Sequence, residues 1–354
     1  SSIISNAITG PTIQAYNVAE SFKTAWGVDP IITAVVLTGI FALVALGGMK
    51  RIGKFAQYVV PFMALAYIAI AIIVLLANIT RIGPMFKLIF SCAFNLNAVF
   101  GAIWGQSFMW GIKRGIFSNE AGFGTGAHAA ASAEVSHPVK QGLAQSFSVY
   151  IDTLFVCTAT GIMILSTGMY NVQNLAGDGY IVENIHGVDH GVGYTQAAID
   201  SLIPGTGSGF VAIAIFFFSI TTLLAFAFNT DAGMSYIFRK KSRRTQKIAI
   251  NSVLIAMVAI TFFGSMTSTT VAWNIADMGT AILAWVNLPA IILLSPKVIK
   301  IFRDYDRQRK MGLDPVFEPS KLGIDNAEIW DEIVAEKYSD LLELKREAER
   351  KTNL

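Results

Sequence analysis

The chain has 354 residues, 53% of them hydrophobic and 14% charged, with a formal net charge of +3 and a mean hydropathy of +0.54. That balance lies outside the soluble range and predicts an integral membrane protein. So small and scattered a charge excludes a nucleic-acid footprint, and Cys92 and Cys157, both in apolar stretches, indicate neither a disulfide framework nor a metal knuckle.

Residues 1–21, SSIISNAITGPTIQAYNVAES, are semi-polar and include Pro11, which leaves open a polar-faced span or a surface loop. With neither an initiator Met nor a signal-peptide pattern, the chain reads as a piece of something longer. Residues 31–48 form a short apolar span, started by Asp29-Pro30 and stopped by Gly47-Gly48. Lys50, Arg51 and Lys54 follow, and residues 55–79 form the next span.

The tract 98–133 holds no convincing loop, yet as one straight helix it would be about 54 Å long, against a hydrocarbon core of about 30 Å. Inside it GIKRGIFSNEAGFGTG, residues 111–126, carries Lys113, Arg114, Asn119, Glu120 and five glycines. The conflict predicts a broken helix: one half ending near Gly115, an unwound stretch at 116–121, and a second half from Gly122. Unpaired backbone cannot face lipid, so such a break lines a cavity or is buried. Broken helices at the midplane are where many secondary transporters bind solute and ion.

Span 141–169 carries Asp152 near its middle, and a polar, acidic connection at 170–208 is long enough for a small helix near 195–202. Spans at 210–238, 247–263 and 271–294 complete the apolar part. Roughly half of all charged residues follow, which predicts a transmembrane core at 1–296 and a charged tail at 297–354. Alternating the loops puts Lys50, Arg51, Lys54, Lys140, the basic cluster 239–247 and the tail on one side. Lys23, Arg81, Lys87, Asp178, Glu183, Asp189 and Asp200 fall on the other. The positive-inside rule makes the first side cytoplasmic, with the connection 170–208 outside as a lid.

Backbone groups freed between Gly115 and Gly122, beside Ser118 and Asn119, suit a zwitterion's carboxylate, whereas the plain alternative is a kink that only packs helices. Lys113, Arg114 and Glu120 are candidates as intramembrane charges, with an Arg114–Glu120 ion pair as the structural reading. His128 has no metal-ligand partner at a useful spacing and reads as packed or pore-facing. Asp152 points into the bundle as a hydrogen-bond acceptor or a proton relay. Thr221 and Thr222, with Ser219, offer clustered oxygens to a small cation, or else bond only to their own helix. Trp104 and Trp110 read as packing or interface residues.

The run 111–160, GIKRGIFSNEAGFGTGAHAAASAEVSHPVKQGLAQSFSVYIDTLFVCTAT, closely resembles the alanine or glycine:cation symporter family of sodium:alanine symporters. The likeness continues through GGMKRIGKFAQYVVPFMA and STTVAWNIADMGTAILAWVNLPAIILLSPKV, nearly the whole chain. It implies an all-α integral membrane protein of the LeuT-type inverted-repeat fold, with about eight spans present, one of them broken. The family's GN-containing first span has no counterpart, so the chain looks like the family without its N-terminal helices, starting in the third core span. By the same resemblance Gln14, Ile116, Phe117, Ser118, Asn119 and Gly122 are substrate positions. Phe218 through its carbonyl, with Thr221 and Thr222, is half of a sodium site. NTDAG at Asn229 departs from the aromatic-rich stretch of many relatives.

The expectation is a sodium-coupled symporter for a small neutral amino acid, alanine or glycine, multi-pass in the cytoplasmic (inner) membrane with its tail in the cytoplasm. It needs no cofactor beyond sodium as coupling ion, and its partners are the amino acid, sodium and the lipid bilayer. Proton coupling through Asp152 or Glu120 is the alternative within transport, and a non-transporting receptor or scaffold lies outside it. An intramembrane enzyme is disfavoured, since His128, Glu134 and His137 lack a catalytic spacing.

Overall fold

The computed structural model describes residues 2–94, 100–174, 179–188, 191–327 and 329–352. Asp178 and Asp189 lie outside the described residues, as do the side chains of Lys50, Cys92 and Trp104. The chain opens with α1 (Ser2–Ile4), a π-helical turn (Ser5–Thr9), α2 (Gly10–Trp26), α3 (Pro30–Ala45), α4 (Met49–Ala77) and α5 (Ile79–Phe94). Next come α6 (Phe100–Asn119), α7 (Thr125–Ala130), α8 (Pro138–Tyr150), a π-helical segment (Ile151–Cys157) and α9 (Thr158–Thr167). A hairpin of β1 (Asn171–Gln173) and β2 (Tyr180–Glu183) precedes α10 (Val192–Asp200), α11 (Gly207–Ile237) and α12 (Arg243–Gly264). The chain closes with α13 (Thr269–Lys310), α14 (Ile329–Lys337) and α15 (Ser339–Thr352).

Among the described residues five helical stretches, Arg51–Ala77, Pro138–Thr167, Gly207–Ile237, Arg243–Gly264 and Thr269–Lys310, are long and apolar enough to cross a membrane. Their outward side chains include Phe62, 73% exposed, and Leu293, 79% exposed, a belt that water would not tolerate and lipid requires. The protein is therefore a multi-pass membrane protein. The eight expected spans would need α2 and α3, 17 and 16 residues long, and α6, with two cations near its end.

Two compact units emerge, the first made of Ser1–Ala121 and Ile151–Leu283. Asp29 caps α3 as its sequence predicts: Oδ1 accepts the Ile31 N–H at 2.8 Å, and Pro30 occupies the first turn. The ambiguous opening is a helix, α2, packed against α11, α12 and α3, and it buries Ala15 and Val18 with Leu37, Phe41, Ile220, Leu223 and Met257. At Gly264 the approach of α12 to α2 is so close that a Cβ would stand 2.8 Å from Thr12 Cα. A second cluster joins Tyr67, Val74, Met163, Ile199 and Val211. The helix foreseen within the connection is α10; at its end Asp200 accepts the N–H groups of Gly207 and Ser208 at 2.7 and 3.1 Å, capping α11.

The second unit comprises Gly122–Tyr150 and Ala284–Leu354. The last span was expected to end at residue 294; instead α13 passes through Pro289 and Pro296 to Lys310. Each proline removes one backbone donor, but the helix continues past both. The end of the chain folds back on this extension around Val316, Val334, Leu342 and Trp330. Gln308, fully buried, holds both backbone groups of Val316, accepting its N–H at 2.9 Å and donating to its carbonyl at 3.0 Å. Ser136 takes the Phe317 N–H at 3.0 Å and donates to Pro315 O at 2.8 Å, and Lys140 meets Asp314 at 2.5 Å.

Candidate binding site

The helix carrying the polar run breaks later than its glycines suggest. α6 stays helical through Asn119 and is closed just beyond it by the Ala121 N–H, which reaches back five residues to Ile116 O at 3.2 Å. The interruption falls at residues 120–124, where Glu120, Gly122 and Gly124 have φ of 49°, 80° and 77°. Left-handed backbone costs glycine little but strains Glu120, and such strain gathers at functional positions. The second half, α7, is only six residues.

Ser118 and Asn119 close α6 with their side chains on the π-helical segment. Ser118 Oγ donates to Asp152 Oδ2 at 2.5 Å and lies 3.3 Å from Cys157 Sγ. Asn119 Nδ2 donates to Thr153 Oγ1 at 3.0 Å, and that hydroxyl donates back to Asn119 Oδ1 at 3.2 Å. Asp152 thus accepts a hydrogen bond inside the apolar run, as expected of it, and a π segment often marks a functional position.

Phe117 and Gln14 occupy different parts of the first unit. The Phe117 ring lies 6.1 Å from that of Trp273, in a cluster with Ile13, Tyr16, Ala272 and Ala276. Gln14 Oε1 accepts the Ser219 hydroxyl at 3.0 Å, tying α2 to α11. One turn along α11, Thr221 and Thr222 both donate to the Phe218 carbonyl, at 2.9 and 2.8 Å. Three oxygens therefore sit together, and both hydroxyls serve their own helix, the arrangement the plainer reading anticipated. Gly122 belongs to the second unit, where its carbonyl accepts from Asn287 Nδ2 at 2.9 Å.

The partner of the two cations near the end of α6 went unrecognised in the sequence. Arg114 Nη2 meets Asp277 Oδ1 at 2.7 Å, in place of the expected pair with Glu120, and Lys113 Nζ meets Asp277 Oδ2 at 2.5 Å. The Arg114 guanidinium stacks over Trp273 at 4.7 Å and Trp110 at 5.3 Å, and Lys113 over Trp110 at 4.7 Å. Trp110, read as packing, is thus part of a cation cage. Two cations on one carboxylate leave a local excess of one positive charge, suited to a carboxylate. A lone acid in the apolar run NIADMGTAILAW was the available signal.

A profile of the sodium:alanine symporter family matches residues 1–319. The chain is 47% identical over 330 residues to the putative sodium/proton-dependent alanine carrier protein YrbD of Bacillus subtilis, covering 93% of this chain and 67% of that one. It is 47% identical to the sodium/proton-dependent alanine carrier protein of Bacillus sp. PS3, over 93% and 73%. To the sodium/alanine symporter AgcS of Methanococcus maripaludis it is 37% identical, over 85% and 62%.

Proposed function

The chain belongs to the sodium:alanine symporter family, and from that premise we propose that it carries alanine, or a close small neutral amino acid, inward with sodium by alternating access. The observation that carries this reading is the match of the family across residues 1–319. The fold proposed is the LeuT-type inverted repeat with about eight spans, set in the cytoplasmic membrane as core 1–296 and cytoplasmic tail 297–354.

Substrate is assigned to Gln14, Ile116, Phe117, Ser118, Asn119 and Gly122. The Phe218 carbonyl with Thr221 and Thr222 is assigned to sodium. Sodium would supply the driving gradient and a positive charge beside the substrate carboxylate. A second reading, proton coupling, is favoured by the Asp152 carboxylate on Ser118 at 2.5 Å, next to a proposed substrate position.

Thr222 separates the two. If its hydroxyl oxygen turns a lone pair to sodium, Thr222→Ala removes one ligand, weakening half-saturation by sodium roughly ten- to hundredfold, and Thr222→Ser keeps it. Sodium titration of alanine uptake in proteoliposomes checks this. Equal sodium dependence in wild type, Ala and Ser variants, with Asp152→Asn abolishing uptake, would move coupling to the proton.

A further inference from the structure

The last three turns of α13 and the tail folded against them line an open cavity of about 1040 Å³ whose chemistry the transport reading does not use. We propose that this cavity binds a phosphate-bearing anion, either the headgroup of an anionic phospholipid or a soluble phosphate compound.

Its wall carries Lys300, Arg303, Arg307 and Lys310 from α13, with Lys321 and Lys345 from the tail. Steps of three and four residues put the first four on one helical face. Four carboxylates share the wall, so six cations leave an excess of two positive charges. Each carboxylate already has a cation. Arg307 holds Asp304 at 2.8 Å, Lys310 holds Asp306 at 2.7 Å, Lys345 holds Glu318 at 2.8 Å, and Lys321 stands 3.6 Å from Glu349.

Among the described residues Lys300 and Arg303 are the two lining cations without a carboxylate partner. Lys300 Nζ lies over Gly323, where an added Cβ would stand 3.8 Å away, so it is turned to the wall of the cavity. The wall is built rather than loose: Lys345 is buried and also donates to Val316 O at 3.2 Å. A phosphate group, with three acceptor oxygens and one to two negative charges, matches this unspent pair.

Placement favours a membrane source. Lys300 lies six residues past Leu294, the end of the apolar run, a helical distance of about 9 Å. That is the depth at which basic clusters meet anionic headgroups.

The test uses the purified full chain in neutral detergent, titrated by calorimetry with dioctanoyl phosphatidylglycerol and, separately, with inorganic pyrophosphate. Single-site binding of either is expected, weakened at least tenfold by the pair K300Q/R303Q and less than twofold by K297Q/R309Q, which loses the same charge outside the cavity. Lipid binding that pyrophosphate does not displace identifies a headgroup; pyrophosphate binding identifies a soluble source. No binding of either, or equal loss in the two double variants, overturns the proposal. Should K300Q/R303Q fail to fold, protection of α14 and α15 from protease by saturating probe in the wild type decides, and its absence refutes the site. No transport measurement enters, so the outcome is independent of the proposed function.

Discussion

Asp277 and His137 show how differently single residues are disclosed by sequence. Asp277 neutralises one of two cations, so the members of the cluster are not equivalent. Lys113→Gln leaves a neutral Arg114–Asp277 pair, whereas Asp277→Asn leaves two cations over the same aromatic rings. With all three side chains a quarter to a third exposed, Asp277→Asn should cost about 1–3 kcal/mol, and Lys113→Gln well under half of that. Thermal unfolding of the two variants in detergent checks it, and equal destabilisation would contradict the cluster as drawn. His137, set aside as lacking a catalytic partner, is wholly buried between Tyr305 and Phe317. Its Nδ1 accepts the Val139 N–H at 3.3 Å, which leaves the proton on Nε2, 3.7 Å from Asp304 Oδ2 and beyond hydrogen-bond reach. Burial holds its pKa below the ordinary histidine value, with Asp304 opposing that and Lys345 and Lys140 adding to it. The folded state therefore resists protonation more than the unfolded chain does. Its contribution is complete above about pH 6.5 and is lost as pH falls from there through the folded value. Proteolysis of α14 and α15 should accelerate between pH 7.5 and 5.5, and His137→Asn should flatten that dependence. The loss expected from Glu318 comes only at more acid pH: burial pushes its carboxyl up, but Lys345 and then Lys321 together outweigh that and hold it below the usual carboxylate range.

At the scale of elements, local signals were legible wherever the reason for a boundary lay in the residues beside it. Asp29-Pro30 and the helix within the connection are of this kind, because a cap or a polar break acts within one turn. The late break of α6 was not, since Gly115 permits unwinding without requiring it, and the side-chain bonds of Ser118 and Asn119 to residues 151–157 hold the helix past it. α5 was missed for the opposite reason: Arg81, Pro84 and Lys87 interrupt the hydropathy while leaving an amphipathic helix. Close helix approach is likewise invisible in one sequence. Gly264→Ala would push a methyl into the Thr12 backbone of α2 and should cost about 1–3 kcal/mol, whereas Gly39→Ala, exposed within α3 with nothing in reach, should gain roughly 0.5–1 kcal/mol. Melting temperatures that move the same way in both variants would remove the tight α2–α12 contact from the account.

For the whole molecule, family and membrane character could be read from the sequence, because motif and hydropathy extend over most of the chain. The tail could not, since its order depends on Ser136 meeting Pro315 and Phe317, and on Lys345 meeting Val316 and Glu318, residues far apart in the chain. Alanine is a zwitterion without net charge, so each turnover with one sodium moves one positive charge. A tenfold inward sodium gradient then supports about tenfold alanine accumulation, since each tenfold ratio is about 1.4 kcal/mol. An inside-negative potential of about 100 mV adds about 2.3 kcal/mol for that charge, a further factor of about fifty. Two sodium ions per cycle would square both factors, so steady-state accumulation in proteoliposomes at clamped gradients counts the coupled ions directly. With sodium equal on both sides, an imposed pH gradient should give no accumulation beyond that set by the potential. Accumulation that follows the pH gradient and ignores sodium would withdraw sodium from the oxygens of Phe218, Thr221 and Thr222 and assign the coupling to Asp152.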